Sequence, residues 1–483
     1  MSRIGVGRVS AHAIFGGGSG LSRTLLQQPI NALPALLPAP TLAPGRHFDV
    51  RVTPPGSKSL ANRAILLAAL ARGTSRLGGV PEGADDVERM LAAVEALGAR
   101  TRRLDGVIEI DGVTGCWPAA REVTLDLGDS GTCARFLAAA AMFARVPIVL
   151  DGSARLRERP IGPLAGALEQ IGCRLESLGA SGGLPLRVHP RPAGKPLDGV
   201  LEFSSAQSSQ FITALLLCGA FIPGGMTIRL SGEVTSASYV AMTLGLLGNL
   251  GATVKTSDNL RVLRVAPTES GQGVGIPAFE YTIEPDASGA TYFWAAAAVT
   301  PGATCEIEGL DDHSLQGDAA FPGVLGRMGA VLGRAADGAI SVKGPPHLRP
   351  ILADMSDMPD AAVTLACVAC FAQGTSIIRG LRTLRVKECD RIAALVAELS
   401  KIGVRVENPV NGDPDTITIT PPHAGPDCTP QAPPVTFETY NDHRMAMALA
   451  LIGLRRPNVT IQNPACVAKT YPAFWTHWAR LFE

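Results

Sequence analysis

One short pattern recurs along the chain and limits what it can fold into. A run of apolar residues at helical spacing ends in a glycine and is followed by a strand-like segment: Leu97-Gly98-Ala99, Ile171-Gly172-Cys173, Leu250-Gly251-Ala252, Met328-Gly329-Ala330 and Ile402-Gly403-Val404. The five glycines stand roughly 75 residues apart, the signature of a duplicated supersecondary unit. Stretches such as 86–97 and 390–402 carry apolar residues at helical spacing, and glycine is the residue that ends a helix by turning left-handed. Each unit therefore reads helix, glycine cap, strand. The chain closes on a sixth such helix, 471–482, with no strand after it. The missing strand is expected from the N-terminal segment 48–53. That closure makes one domain from both chain ends (48–57 and 285–483) and a second from the middle (58–284), with a cleft between them where small ligands bind.

Length agrees with two cores, since 483 residues exceed what one hydrophobic core usually serves. Lysine plus arginine balances aspartate plus glutamate, 43 against 43, so the whole chain offers no field for nucleic acid or an anionic membrane. The longest apolar runs, 136–144 and 361–372, are shorter than a membrane span needs. Ten cysteines show no repeated pair spacing, and the one close pair, Cys367 and Cys370, lies in an apolar run, which reads as buried thiols in a reducing cytoplasm. Residues 1–47 contain four arginines and no acid. They read as a disordered N-terminal extension, a targeting segment or a start placed too early.

Polar and charged clusters fall at predicted helix starts, where free backbone N–H groups and the helix dipole favour anions. Pro55-Gly56-Ser57-Lys58-Ser59 precedes a helix containing Arg63. Gly128-Asp129-Ser130-Gly131-Thr132 precedes one containing Arg135. Arg155, Arg157 and Arg159 crowd before Pro160, a pattern that usually marks a solvated face. Ser208-Ser209-Gln210 offers neutral donors to hydroxyl groups, and Asp360 stands where a helix begins. Arg385, Lys387, Glu388, Asp390 and Arg391 alternate in charge, and Asp442-His443-Arg444 and Lys469 complete the set. The first segment is not a Walker loop, because Ser57 stands where that motif needs glycine before the lysine. Each cluster alone has an ordinary structural explanation; their number at helix starts does not.

In this order, PGSKS-x3-R, GDSGT-x2-R, R-x-RERP, SSQF, PDAA, RVKE-x-DR, YNDHRMA and AKTYP resemble the 5-enolpyruvylshikimate-3-phosphate synthase family over residues 48–483. The resemblance implies an α/β fold of six βαβ-type units, an inside-out α/β barrel with three units per domain. It also implies transfer of the enolpyruvyl group of phosphoenolpyruvate to shikimate 3-phosphate, in a monomer without metal or cofactor. Matched motif by motif, it assigns Lys58, Ser59, Arg63, Ser208, Ser209, Gln210, Ser236, Tyr239, Asp360, Thr383 and Lys387 to shikimate 3-phosphate. Lys58, Gly131, Arg155, Gln210, Arg391, His443, Arg444 and Lys469 go to phosphoenolpyruvate, where arginine forks suit carboxylate and phosphate oxygens. Asp360 is the implied base, Glu388 transfers the proton at the methylene carbon, and Lys58 and Lys469 assist.

Two other readings fit less well. The sister transferase acting on UDP-N-acetylglucosamine often carries a reactive cysteine where Ser153 stands and Lys-Asn where Lys58-Ser59 stands. An inactive metabolite-binding paralogue would not need Lys58, Asp360, Glu388, Arg444 and Lys469 all intact. Three residues depart from the family's pattern: Asp129 and Thr383 replace asparagines, and Phe136 replaces a proline. The double variant Asp129→Asn, Phe136→Pro is therefore expected to remain active and to change its affinity for glyphosate. Identical calorimetric affinities in the two proteins would remove that expectation.

Overall fold

The computed structural model describes residues 19–179, 182–192, 197, 199–204, 208–232, 234–268 and 275–483. All five repeated glycines adopt positive φ: Gly98 at 113°, Gly172 at 97°, Gly251 at 85°, Gly329 at 109° and Gly403 at 77°. The next residue's N–H closes the same bond each time, five residues back: Ala99 to Val94 at 3.0 Å, Cys173 to Leu168 at 3.0 Å, Ala252 to Leu247 at 2.9 Å, Ala330 to Leu325 at 3.1 Å and Val404 to Leu399 at 3.3 Å. This is the Schellman closure, and it turns each helix directly into a strand.

The described residues form six sheets, five of four strands and one of three. One order recurs. In one sheet Val123–Asp126 runs parallel to Ile148–Asp151, which pairs antiparallel with Leu186–His189, which pairs antiparallel with Arg174–Ser177. The sixth sheet has no strand after its helix. Its strands Val435–Phe437 and Val459–Gln462 are parallel, and the antiparallel place beside the latter is taken by Leu36–Pro38.

That placement corrects two expectations. The strand Asp49–Val52 does not complete the sixth unit; it runs parallel to Thr304–Ile307 and leads a different sheet. Residues 19–47 are not a disordered extension either, whereas 1–18 lie outside the described residues. Ser19–Leu26 is helical and packs on Phe474–Ala479, with Arg23 3.0 Å from Glu483. Leu26 and Leu37 are fully buried, and Ala39 N–H donates to Val459 O at 2.8 Å. The physical reason is an open sheet edge: Val459–Gln462 has unpaired backbone groups on one side, and these apolar residues cover it.

Two hydrophobic cores result, one drawing on residues 26–52 and 287–481 and the other on 60–283. At the centre of each lie three helices that are apolar nearly all round: Lys58–Leu70, Gly131–Ala140 and Ser209–Gly219 in one, Ala287–Val299, Ala362–Ala369 and His443–Arg455 in the other. Helices apolar on every side are stable only when enclosed, and the sheets enclose them. The chain crosses between the cores twice, side by side, with Ser57 N–H on Glu284 O and Asp286 N–H on Pro55 O, both at 2.8 Å. A Cβ on Gly56 would stand 1.8 Å from the Gly79 carbonyl oxygen, so only glycine fits at this crossing.

If the N-terminal strand is part of the sixth unit, Leu37→Ala lowers unfolding free energy by about 2–5 kcal/mol, as for other buried leucines. Urea unfolding checks this, and an unchanged midpoint would return the segment to the status of a tail.

Candidate active site

The starts of four of the six central helices face one cavity of roughly 900 Å³, measured out to its open mouth. Ser57 caps the helix that carries Lys58, Ser59 and Arg63, accepting from Leu60 N–H. Ser130 caps the one that begins at Gly131, and Ser208 accepts from Gln210 N–H at 3.2 Å. Across the cavity, Asp442 caps the helix of His443 and Arg444, accepting from Arg444 N–H at 2.9 Å. Four helix dipoles thus point their positive ends into one space.

Side chains add to this field. Lys58, Arg63, Arg135, Arg159, Lys387, Arg391 and Arg444 line the cavity, against three carboxylates, Asp86, Asp360 and Glu388. The centre of the network is Arg391, whose side chain is only 1% exposed. Its Nη1 is 2.8 Å from Asp360 Oδ1, its Nη2 3.0 Å from Glu388 Oε2, and its Nε 2.7 Å from Asp442 Oδ2. Asp360 also pairs with Lys387 at 3.3 Å and Arg444 at 3.0 Å, and accepts from Tyr239 OH at 3.0 Å. Glu388 pairs with Lys469 at 3.2 Å. Lys469 in turn stands 3.6 Å from Asp86, which pairs with Lys58 at 2.9 Å.

Burial by itself would raise these carboxyl pKa values, but the cations outweigh it. Arg444, Lys387 and Arg391 hold Asp360 well below the usual range, and Lys469, Arg391 and Arg159 do the same for Glu388. Burial lowers Lys387, whereas Asp86 and Glu388 hold Lys469 above its ordinary value despite burial. Arg63 is brought down to about 10 by burial. It donates to Thr243 Oγ1 at 2.9 Å and Ser59 O at 2.6 Å, with its guanidinium 5.3 Å from the centre of the Phe136 ring. Burial also pushes His443 down to about 3, so the ring is neutral, and both ring nitrogens lack a hydrogen-bond partner among the described residues.

Of the residues the motifs single out, Lys58, Ser59, Arg63, Gly131, Ser208, Ser209, Gln210, Ser236, Tyr239, Asp360, Thr383, Lys387, Glu388, Arg391, His443 and Arg444 all line this cavity. Lys469 stands directly behind, on Asp86 and Glu388. Ser236 is held at φ 54°, a conformation a non-glycine residue adopts only when its surroundings impose it. The stretch 205–207, part of the polar run before Ser208, lies outside the described residues.

Arg155 is the exception. It is not in the cavity wall; it donates to the backbone oxygens of Lys387 and Glu388 from outside. Arg159, which the sequence reading grouped with a solvated surface, faces inward, 7% exposed and 4.0 Å from Glu388. Arg159 follows the helix Ala154–Glu158 in extended backbone, so helical spacing from Arg155 does not give its direction. Asp86 was missed because a pair of acids in a helix's first turn is ordinary. Asp129 keeps its carboxylate off the cavity, on Ser153 Oγ, while its carbonyl accepts from Lys469 Nζ at 2.9 Å.

Two α/β cores, a cation-rich cleft and helix starts aimed at it define a protein with a site for small anions. Comparison with known proteins makes this specific: residues 42–478 match the sequence profile of EPSP synthase (3-phosphoshikimate 1-carboxyvinyltransferase), and the chain belongs to that family. Curated 3-phosphoshikimate 1-carboxyvinyltransferases from Erwinia tasmaniensis and Yersinia ruckeri are each 40% identical to it, over 445 and 450 residues. These alignments cover 91% and 92% of this chain and 98% and 99% of the relatives. A solved EPSP synthase from Acinetobacter baumannii superposes with a TM-score of 0.72 at 27% identity, covering 91% of this chain and 97% of its own. The fold is accordingly the two-domain enolpyruvyl transferase fold, and the family's reaction is enolpyruvyl transfer in the shikimate pathway.

Neutral buried His443 yields a pH prediction. Its folded pKa lies below its unfolded value, so it costs nothing above about pH 6.5. As pH falls below that, the unfolded chain takes up a proton that the fold refuses. Between pH 6.5 and 5 this removes about 2 kcal/mol of stability. His443→Asn should lose correspondingly less over the same interval in urea titrations; equal losses would show that the ring takes up its proton as readily in the fold as in the unfolded chain.

Proposed function

We propose that the cavity adds shikimate 3-phosphate to phosphoenolpyruvate and then eliminates phosphate, with the work divided among the residues that line it. The supporting observation is the pairing of every reactive carboxylate with cations that the substrates' own anionic groups will claim. Ser208, Ser209, Gln210, Ser236, Tyr239 and Thr383 hold shikimate 3-phosphate through hydroxyl and amide donors, with Lys58, Ser59, Arg63 and Lys387 adding charge. Lys58, Gly131, Gln210, Arg391, His443, Arg444 and Lys469 hold phosphoenolpyruvate, joined by Arg159 from the inward face of its turn.

As Arg391 and Arg444 turn to the substrate carboxylate, Asp360 loses partners that keep its basicity low. It then accepts the proton of the 5-hydroxyl as the oxygen attacks the central carbon of phosphoenolpyruvate. Glu388 relays a proton to the methylene carbon. Ionised among cations, it draws that proton from a neighbour, and Lys469, 3.2 Å away, is placed to supply it. The adduct collapses when the methyl group returns a proton through Glu388 to Lys469 and the carbon–oxygen bond to phosphate breaks, with Lys58 and the recharged Lys469 neutralising the leaving group. The segments 48–57 with 285–483, and 58–284, act as two bodies that close on the substrates, a reading supported by the two separate cores. The ten free cysteines suit a reducing cytoplasm. A monomer suffices, since one chain supplies every wall described.

Phosphate release from the two substrates measures the reaction. Asp360→Asn, which keeps the shape and removes the charge, should lower kcat by about 10²–10⁴-fold, the range for a lost general base. Calorimetric binding of shikimate 3-phosphate should survive. A variant with full turnover would remove Asp360 from the role of base.

A further inference from the structure

Arg155 belongs to a short helix, Ala154–Glu158, whose Leu156 is buried in the core of residues 60–283. Its guanidinium reaches across the cleft mouth to the other core. Nη2 donates to Lys387 O at 2.8 Å and Nε to Glu388 O at 3.0 Å, while Nη1 is steadied by Glu158 at 2.9 Å. The two carbonyls are consecutive. They lie where the chain has left the turn Arg382–Val386 and has not yet entered the helix Arg391–Ser400. Neither helix nor strand fixes this short piece, yet it carries two groups the reaction needs, Lys387 against Asp360 and Glu388 against Lys469 and Arg391.

We propose that Arg155 is a positioning residue, a latch that fixes the Lys387–Glu388 segment from across the cleft and so couples closure to the placing of Glu388. This rests on the reading that Glu388 handles the proton at the methylene carbon. A planar fork with two parallel donors matches two successive carbonyl oxygens, and a lysine ammonium does not. The bonds exist only while the two cores stand together, so Glu388 takes its working place only in the closed form. A displacement of about 1 Å at a reacting group is enough to cost on the order of 10²-fold in rate. At the rim, with its side chain 37% exposed, Arg155 is replaceable without opening a cavity in either core.

The test compares Arg155→Ala and Arg155→Lys with the unaltered enzyme in phosphate-release kinetics, with thermal unfolding to confirm that both variants fold. The latch predicts that both lower kcat by about 10–100-fold with KM for phosphoenolpyruvate within about 3-fold, lysine failing to rescue because the fork is lost. A rise in that KM with kcat unchanged would make Arg155 a substrate ligand and overturn the proposal, as would unchanged kinetics. Combining Arg155→Ala with Glu388→Gln should cost no more than Glu388→Gln alone, since the latch acts through Glu388; additive losses would overturn it. If Glu388→Gln by itself is fully active, the assignment of Glu388 fails, and the kcat of Arg155→Ala still decides whether the segment needs its latch.

Discussion

Arg391 shares one guanidinium among Asp360, Glu388 and Asp442, and the arrangement of the cleft follows from that sharing. Each carboxylate reaches it from a different element: Asp360 just before one central helix, Glu388 from the segment before the helix Arg391–Ser400, and Asp442 as the cap of another central helix. A buried arginine would otherwise carry a large desolvation cost, so the three elements are held where their carboxylates meet it. Buried ion clusters of this kind contribute little net stability, because desolvation offsets the attraction. What this one supplies is order: it sets carboxylates from three separate elements around one guanidinium.

The same economy explains why the cleft is so strongly cationic in a chain of zero net charge. Seven cationic side chains line the cavity against three carboxylates, while the outer strands pair their charges locally, as Arg187 does with Glu122 and Glu176. The field is local, and it is reinforced by helix starts that exist only because the central helices are buried and must end somewhere polar. Burial of the helices and binding of anions are two consequences of one packing arrangement.

Residues of both cores meet at the cavity. Lys469 comes from one core and touches Asp86 and the Asp129 carbonyl of the other; Tyr239 reaches Asp360 in the opposite direction. Neither core alone supplies the whole cavity wall.

Local periodicity made the repeat legible, because a glycine cap leaves its mark within a few residues. The five helix ends, the strands after them and the clusters at helix starts could all be read that way, whereas Ser236, Tyr239 and Thr383 came only from the family resemblance. Pairing at long range could not. That Leu36–Pro38 rather than Asp49–Val52 borders the sixth sheet depends on which open edge lies within reach, a question of position in space. The direction of a side chain at the end of a short helix was equally hidden: Arg155 and Arg159 are four residues apart, which in a continued helix would put them on one face, but the backbone turns extended at Arg159, which lines the cavity. Sequence alone determined the repeating unit and the chemistry available to it, since both are local properties of the chain. The tertiary structure decided which edges pair and which charges meet, because those depend on contacts between segments hundreds of residues apart.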